Sequence, residues 1–148
     1  MALFEKIDHD MIEALKAGEK DRLTVLRGLK SDLKYKRIDK GDDLTDEDVI
    51  SVLASAAKQR RDSIEQFAKG GRSDLVQQER FQLEVITSYL PKQLDENELR
   101  EIVARAIAEV SAESPQQIGA VMKVVMPQVK GVADGKMVNK LAMEILAK

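Results

Sequence analysis

Gly131, Gly135 and Lys136, in "VKGVADGKMVNKL" (residues 129–141), are the nearest approach in this chain to a phosphate-binding loop. A Walker-type loop has the form G-x-x-x-x-G-K-[ST]. Its backbone N–H groups cradle phosphates, its lysine supplies counter-charge and its hydroxyl binds magnesium. Here only three residues separate the glycines, Met137 stands where the hydroxyl is needed, and no strand pattern precedes the loop. That excludes a nucleotide site of this kind. A weaker anion role stays open, because Asp134 to Met137 fall at the start of a helical pattern, where free N–H groups and the helix dipole favour negative charge. Asp134 competes for the same N–H groups as a cap, so the motif itself favours a tight helix–loop–helix joint. Charge adds to it: Lys123, Lys130, Lys136 and Lys140 accompany a single acid, Asp134, between residues 123 and 140. Such a patch can neutralise several phosphates.

Arg27, Lys30, Lys34 and Arg37 recur at spacings of three and four and define a secondary basic stripe on one helix. Lys58, Arg60 and Arg61 cluster further on. Acidic neighbours Asp32, Asp62 and Glu65 favour a solvated, salt-bridged face for both groups. The acidic string Asp42, Asp43, Asp46, Glu47, Asp48 lacks EF-hand spacing, and its last members suit a helix first turn, so no metal is expected. His9 is the only histidine, and the flanking Asp8 and Asp10 project to other helix faces, which reads as an ordinary surface imidazole. With no cysteine, no nucleophile elbow and no histidine pair, no catalytic residues and no cofactor are expected. Met122, Met126, Met137 and Met143 could line an adaptable peptide groove, but read better as core filler in a region without aromatics. All five aromatics lie between Phe4 and Tyr89. The C-terminal part therefore has no ring on which to stack an unpaired base, and any RNA it binds would be read by backbone and shape.

These residues sit in a chain of 148 with 43% hydrophobic and 34% charged residues and a formal net charge of −2. That balance describes a water-soluble globular protein and argues against a wholesale polyanion binder. No apolar run is long enough to span a membrane, and the charged N-terminus is unlike a signal peptide. The absence of cysteine suits a reducing compartment, read here as the cytoplasm.

The pattern is helical throughout. Leu3, Ile7, Met11 and Leu15 mark a first helix over Leu3–Ala17, which Gly18 can end. Leu23, Leu26, Leu29 and Leu33 mark a second from Lys20 to about Ile38. Thr45 with Asp48 resembles a capping box for a third, running to about Lys69 before Gly70-Gly71. Ser73 is a candidate cap for a fourth, to about Tyr89. Pro91 disfavours helix at Leu90, and Asp95 with Glu98 then starts a fifth, to about Val110. Ser114-Pro115-x-Gln117 starts a sixth that ends at Met126, before Pro127. Asp134 caps a seventh with the stripe Val138, Leu141, Ala142 and Ile145. The expectation is an all-α protein: an N-terminal bundle of about four helices over residues 1–90, a short hinge, and a C-terminal three-helix module over 91–148.

Several stretches resemble the YqeY family: "EKDRLTVLRGLKSDL" (19–33), "KQRRDSIEQF" (58–67), "GRSDLV" (71–76), "YLPKQLDENEL" (89–99) and above all "IGAVMKVVMPQVKGVADGKMVNKL" (118–141). The resemblance covers nearly the full length. It implies a two-part helical protein whose C-terminal part is similar to the tail of GatB, the component of the tRNA-dependent amidotransferase that transfers ammonia to misacylated tRNA. That tail helps to hold tRNA, while the catalytic portion it follows is absent here. Residue by residue, the tail signature falls on Gly119, Met122, Lys123, Lys130, Gly131, Ala133, Val138 and Asn139, and Asp134, Gly135 and Lys136 match the YqeY form. Gln128 and Val132 stand where many relatives carry a basic residue, and Gln82 where an acid is common. The resemblance implies a bacterial-type accessory protein with tRNA as its partner, Lys123, Lys130, Gly131, Lys136, Asn139 and Lys140 as candidate contacts, and amidotransferase-like ancestry without its chemistry. A protein–protein adaptor, using an apolar helix face or the stretch near Leu90–Pro91, is the alternative.

Overall fold

The computed structural model describes residues 2–148. Among them it has seven α-helices, one 3-10 turn and no strand. The chain divides into two compact units, Met1–Leu90 and Pro91–Lys148. Each has its own apolar cluster.

The first unit holds α1 (Leu3–Ala17), α2 (Lys20–Lys40), α3 (Asp46–Lys69) and α4 (Ser73–Thr87). Leu23, Leu26, Leu29 and Leu33 of α2 are all buried, as their spacing requires. The stripe on α1 is corrected at one position. Ala14 is buried and Leu15 is 56% exposed. At about 100° per residue, Ala14 lies nearer than Leu15 to the line through Ile7 and Met11. Gly18, in the left-handed region at φ 72°, ends α1. α2 continues two residues past the expected Ile38, to Gly41 at φ 76°.

The predicted box at the start of α3 is present. The Thr45 hydroxyl accepts from the Asp48 N–H at 3.1 Å, and the Asp48 carboxylate accepts from the Thr45 N–H at 2.9 Å. Lys40 donates to the same carboxylate at 2.5 Å. The Lys40 ammonium first, and then the Thr45 N–H, hold the Asp48 carboxyl at about 2 rather than 3.8. A carboxyl depressed in this way stabilises the fold fully above 3.8, and that contribution is lost as pH falls through about 2. Asp48→Asn is therefore expected to flatten the acid limb of thermal stability between those values. An unchanged limb in a pH series of melting curves would contradict the pairing.

Ser73 is not the cap of α4. It is the first helical residue, after Arg72, whose guanidinium reaches Asp74 at 3.2 Å. α4 stops at Thr87, earlier than Tyr89. The Thr87 hydroxyl donates to the Leu83 carbonyl and the Ser88 hydroxyl to the Val85 carbonyl, so side chains occupy acceptors of the last turn. Tyr89 then turns inward. Its buried hydroxyl donates to Asp10 at 2.6 Å and lies 3.4 Å from Arg22, fixing the end of α4 against α1 and α2. Burial, and then the Asp10 carboxylate, push this phenol well above its usual range.

The second unit holds α5 (Glu96–Glu109), a 3-10 turn at Pro115–Gln117, α6 (Ile118–Val129) and α7 (Gly135–Leu146). The Asp95–Glu98 box opens α5. α6 does not end at Met126 but runs through Pro127. Proline removes one N–H and with it the bond to the Lys123 carbonyl. Lys123 is exposed, so water can satisfy that carbonyl. Val125 and Val129, one turn apart and fully buried, hold the last turn in place. Within the second unit, the stretch from Pro91 to Asp95 is tied to the loop between α6 and α7. The Leu94 N–H donates to the Val132 carbonyl at 2.8 Å, and the Gln93 amide to the Gly131 carbonyl at 2.8 Å.

Candidate nucleic-acid interface

The loop between α6 and α7 is a built joint. Gly131 takes φ 78°, which a residue with a Cβ rarely adopts. The Val129 carbonyl accepts from the N–H groups of Val132 and Ala133. Asp134 caps α7, accepting from the Lys136 N–H at 3.2 Å. Gly135 makes no left-handed turn but is the first helical residue, and a Cβ there would come 3.4 Å from the Met126 methyl. Of the two glycines, Gly131 is the one the turn requires, while a Cβ at Gly135 would make ordinary contact with a flexible methionine. Gly131→Ala is expected to cost about 1–2 kcal/mol in stability, read by chemical denaturation. A neutral result would contradict the left-handed turn.

Lys123, Lys130, Lys136, Asn139 and Lys140 are all exposed, and Gly131 is buried. On α6, Gly119, Lys123 and Met126 follow one another at helical spacing opposite the buried Val121, Val125 and Val129, and Lys130 follows the helix end. On α7, Lys136, Lys140 and Met143 form a comparable line opposite Val138, Leu141 and Ala142. Lys136 makes an interaction within the molecule, and two acids near these lysines have further partners. Asp134 is used as the cap, and Glu144 accepts from Arg100 at 3.1 Å. The methionines correct the core-filler expectation. Met122 is partly buried, but Met126, Met137 and Met143 are 38%, 40% and 39% exposed, because valines and leucines already fill the module's centre.

The secondary stripe divides. Lys30 turns toward α1 and donates to Asp8 at 2.5 Å, and Arg37 pairs with Asp43 at 2.8 Å. Arg27 and Lys34 stay exposed, with no ion pair among the described residues. The partners are Asp8 and Asp43, from elsewhere in the chain, rather than the acids adjacent to the stripe. Arg60 lies 3.8 Å from Glu79 of α4. The acidic string is used structurally: Asp43 holds Arg37, the Asp46 carboxylate accepts from the Leu3 N–H, and Asp48 caps α3. Among the described residues no group of three or more acids or histidines could hold a metal ion, and no helix is long and apolar enough to cross a membrane. Gln93, which holds the Gly131 carbonyl, carried no sequence signal of its own, because its role exists only once the loop folds back on it.

The model of Yqey-like proteins matches residues 4–146. The chain belongs to the YqeY family. Within it, 109 residues are 36% identical to "Altered inheritance of mitochondria protein 41, mitochondrial" of Lachancea thermotolerans, covering 72% of this chain and 58% of that protein. A protein of the same name from Pyrenophora tritici-repentis is 29% identical over 145 residues, covering 95% of this chain and 79% of its own length. A third, from Kluyveromyces lactis, is 37% identical over 84 residues, which are 56% of this chain and 45% of that protein. This YqeY-family chain thus spans about half the length of some curated relatives it matches. The relatives' names correct the cytoplasmic expectation, since they are named as mitochondrial proteins. An absence of cysteine bears on redox chemistry and does not separate one reducing compartment from another.

Proposed function

We propose that this is a non-catalytic accessory protein whose C-terminal module docks a folded tRNA through its lysines, in the manner of the amidotransferase tail that it resembles. The observation that supports this reading is the exposed lysine set on α6, the joint and α7. Lys123, Lys130, Lys136 and Lys140 are all at the surface, and among the four Lys136 also makes an interaction within the molecule. A surface of this kind attracts phosphates by charge and selects by shape. Without aromatics in the module, base stacking plays no part there.

A second reading rests on Met126, Met137 and Met143. Three exposed, flexible apolar side chains on the same module suit a protein partner. Purification with and without nuclease separates the two. Folded RNA that co-purifies and is released by high salt supports docking of tRNA. A protein partner that survives both nuclease and high salt overturns it in favour of an adaptor. Conversion of misacylated Glu-tRNA(Gln) or Asp-tRNA(Asn) by the purified protein, with glutamine and ATP, would overturn the non-catalytic part.

A further inference from the structure

Tyr35 is 71% exposed and Ile38 67% exposed, the largest values among the exposed large apolar side chains described. Both lie on α2, outside the buried leucine stripe. Arg27, Lys34, Tyr35 and Ile38 fall at i, i+7, i+8 and i+11, which places them on one face of the helix. Arg27 and Lys34 are the two members of the basic stripe that carry no ion pair among the described residues. Gly28 lies on the same side. Glycine weakens a helix interior, yet a Cβ at Gly28 would meet nothing within 4 Å, so internal packing does not explain it. It leaves bare backbone beside Arg27.

An open hollow of about 440 Å³ adjoins Tyr35 between α2 and α3. Ser51, Ser55 and Gln59 bring hydroxyls and an amide to it, and Asp32, Lys36 and Asp39 bring charge. A second hollow of about 480 Å³ adjoins Ile38 and Lys34 and is also lined by Arg37, Asp42 and Asp43, of which Asp43 pairs with Arg37 and Asp42 accepts from the Asp43 N–H. The aromatic–aliphatic ridge therefore has a polar recess on one side and an exposed cation on the other.

We propose that this face of α2 binds an unpaired segment of RNA, with one base stacked on Tyr35 and the flanking phosphates on Lys34 and Arg27. An exposed ring offers a π-face to any base, and unpaired cations on the same face track a phosphate backbone. The two carboxylates of the recess oppose phosphate but accept from the exocyclic amino group of a base, and the hydroxyls and amide serve its other edge atoms. The arrangement thus sorts base to one side and phosphate to the other. The proposal shares with the proposed function only the premise that the ligand is RNA, and it lies in the other unit.

The test uses the full chain and two probes: a short, unstructured oligoadenylate and a folded tRNA. Tyr35→Ala is expected to weaken oligoadenylate binding about tenfold, and Tyr35→Phe to restore it, since the ring and not the hydroxyl does the stacking. Arg27→Ser with Lys34→Ser should lower the log–log salt slope by about 1.4, two single-strand phosphate contacts. Wild-type affinity in Tyr35→Ala, with helicity retained, would overturn the proposal. So would a dimer in sedimentation velocity that Tyr35→Ala or Ile38→Ala dissociates, because the face would then belong to a second copy. The lysine variants of α6 and α7 separate the two readings. Loss of tRNA binding there, with oligoadenylate binding unaffected by Tyr35→Ala, sinks this proposal alone. The converse pattern sinks the C-terminal docking alone.

Discussion

Replacing Lys123, Lys130, Lys136 and Lys140 together by alanine is expected to weaken binding to folded tRNA and to abolish a salt response that with these lysines amounts to about a hundredfold loss of affinity between ~50 and ~200 mM salt. The magnitude follows from counterion release. Each phosphate neutralised on a duplex contributes about 0.9 to the slope of log affinity against log salt, so four contacts contribute about 3.6. The variant should lose that much slope, and the remaining affinity should hardly respond to salt. All four side chains are exposed, so the fold should survive. Lys136 also takes part in an interaction within the molecule, but an exposed contact of this kind contributes little stability. Circular dichroism and the melting temperature serve as the control. An unchanged slope in a folded variant would remove this surface from the account.

The second large effect is on stability. Leu26→Ala is expected to cost about 2–5 kcal/mol, because the side chain is fully buried among the leucines of the first unit and its removal leaves a cavity. For a unit of this size that corresponds to a fall of about 10–30 °C in the melting temperature. Leu15→Ala, by contrast, removes a side chain that is 56% exposed and should stay within about 0.5 kcal/mol. The two leucines look alike in the sequence, each within an apolar heptad-like stripe. Equal losses in urea denaturation would mean that α1 packs through a different face.

What could be read from the sequence was what local chemistry decides. The Thr45–Asp48 and Asp95–Glu98 boxes, the Gly18 stop and the Asp134 cap depend on residues within a few positions of one another, and each stands where spacing placed it. The leucine run of α2 was legible for the same reason. The misreadings share another cause. Pro127 looked like a stop, but burial of Val129 carries the helix past it. Ser73 looked like a cap, but the chain enters α4 through Arg72. Lys30 and Arg37 could not be told apart from Arg27 and Lys34, because their partners, Asp8 and Asp43, lie outside their own helix. The exposed methionines and Tyr35 carry the same lesson, because residue type sets a tendency to be buried and only tertiary packing decides whether space exists. The lysines of the candidate site were legible as residues. The engagement of the nearby acids was not, because it depends on Asp134 acting as a cap and on Arg100 reaching Glu144.

The most direct test is a fluorescence titration of the wild-type protein against labelled folded tRNA and an unstructured RNA of equal length, each at low and at moderate salt. Docking by charge and shape predicts tighter binding to the folded molecule and a steep loss of that binding as salt rises. Equal weak binding to both RNAs, or none to either, would contradict it and leave the exposed methionine surface as the site to pursue.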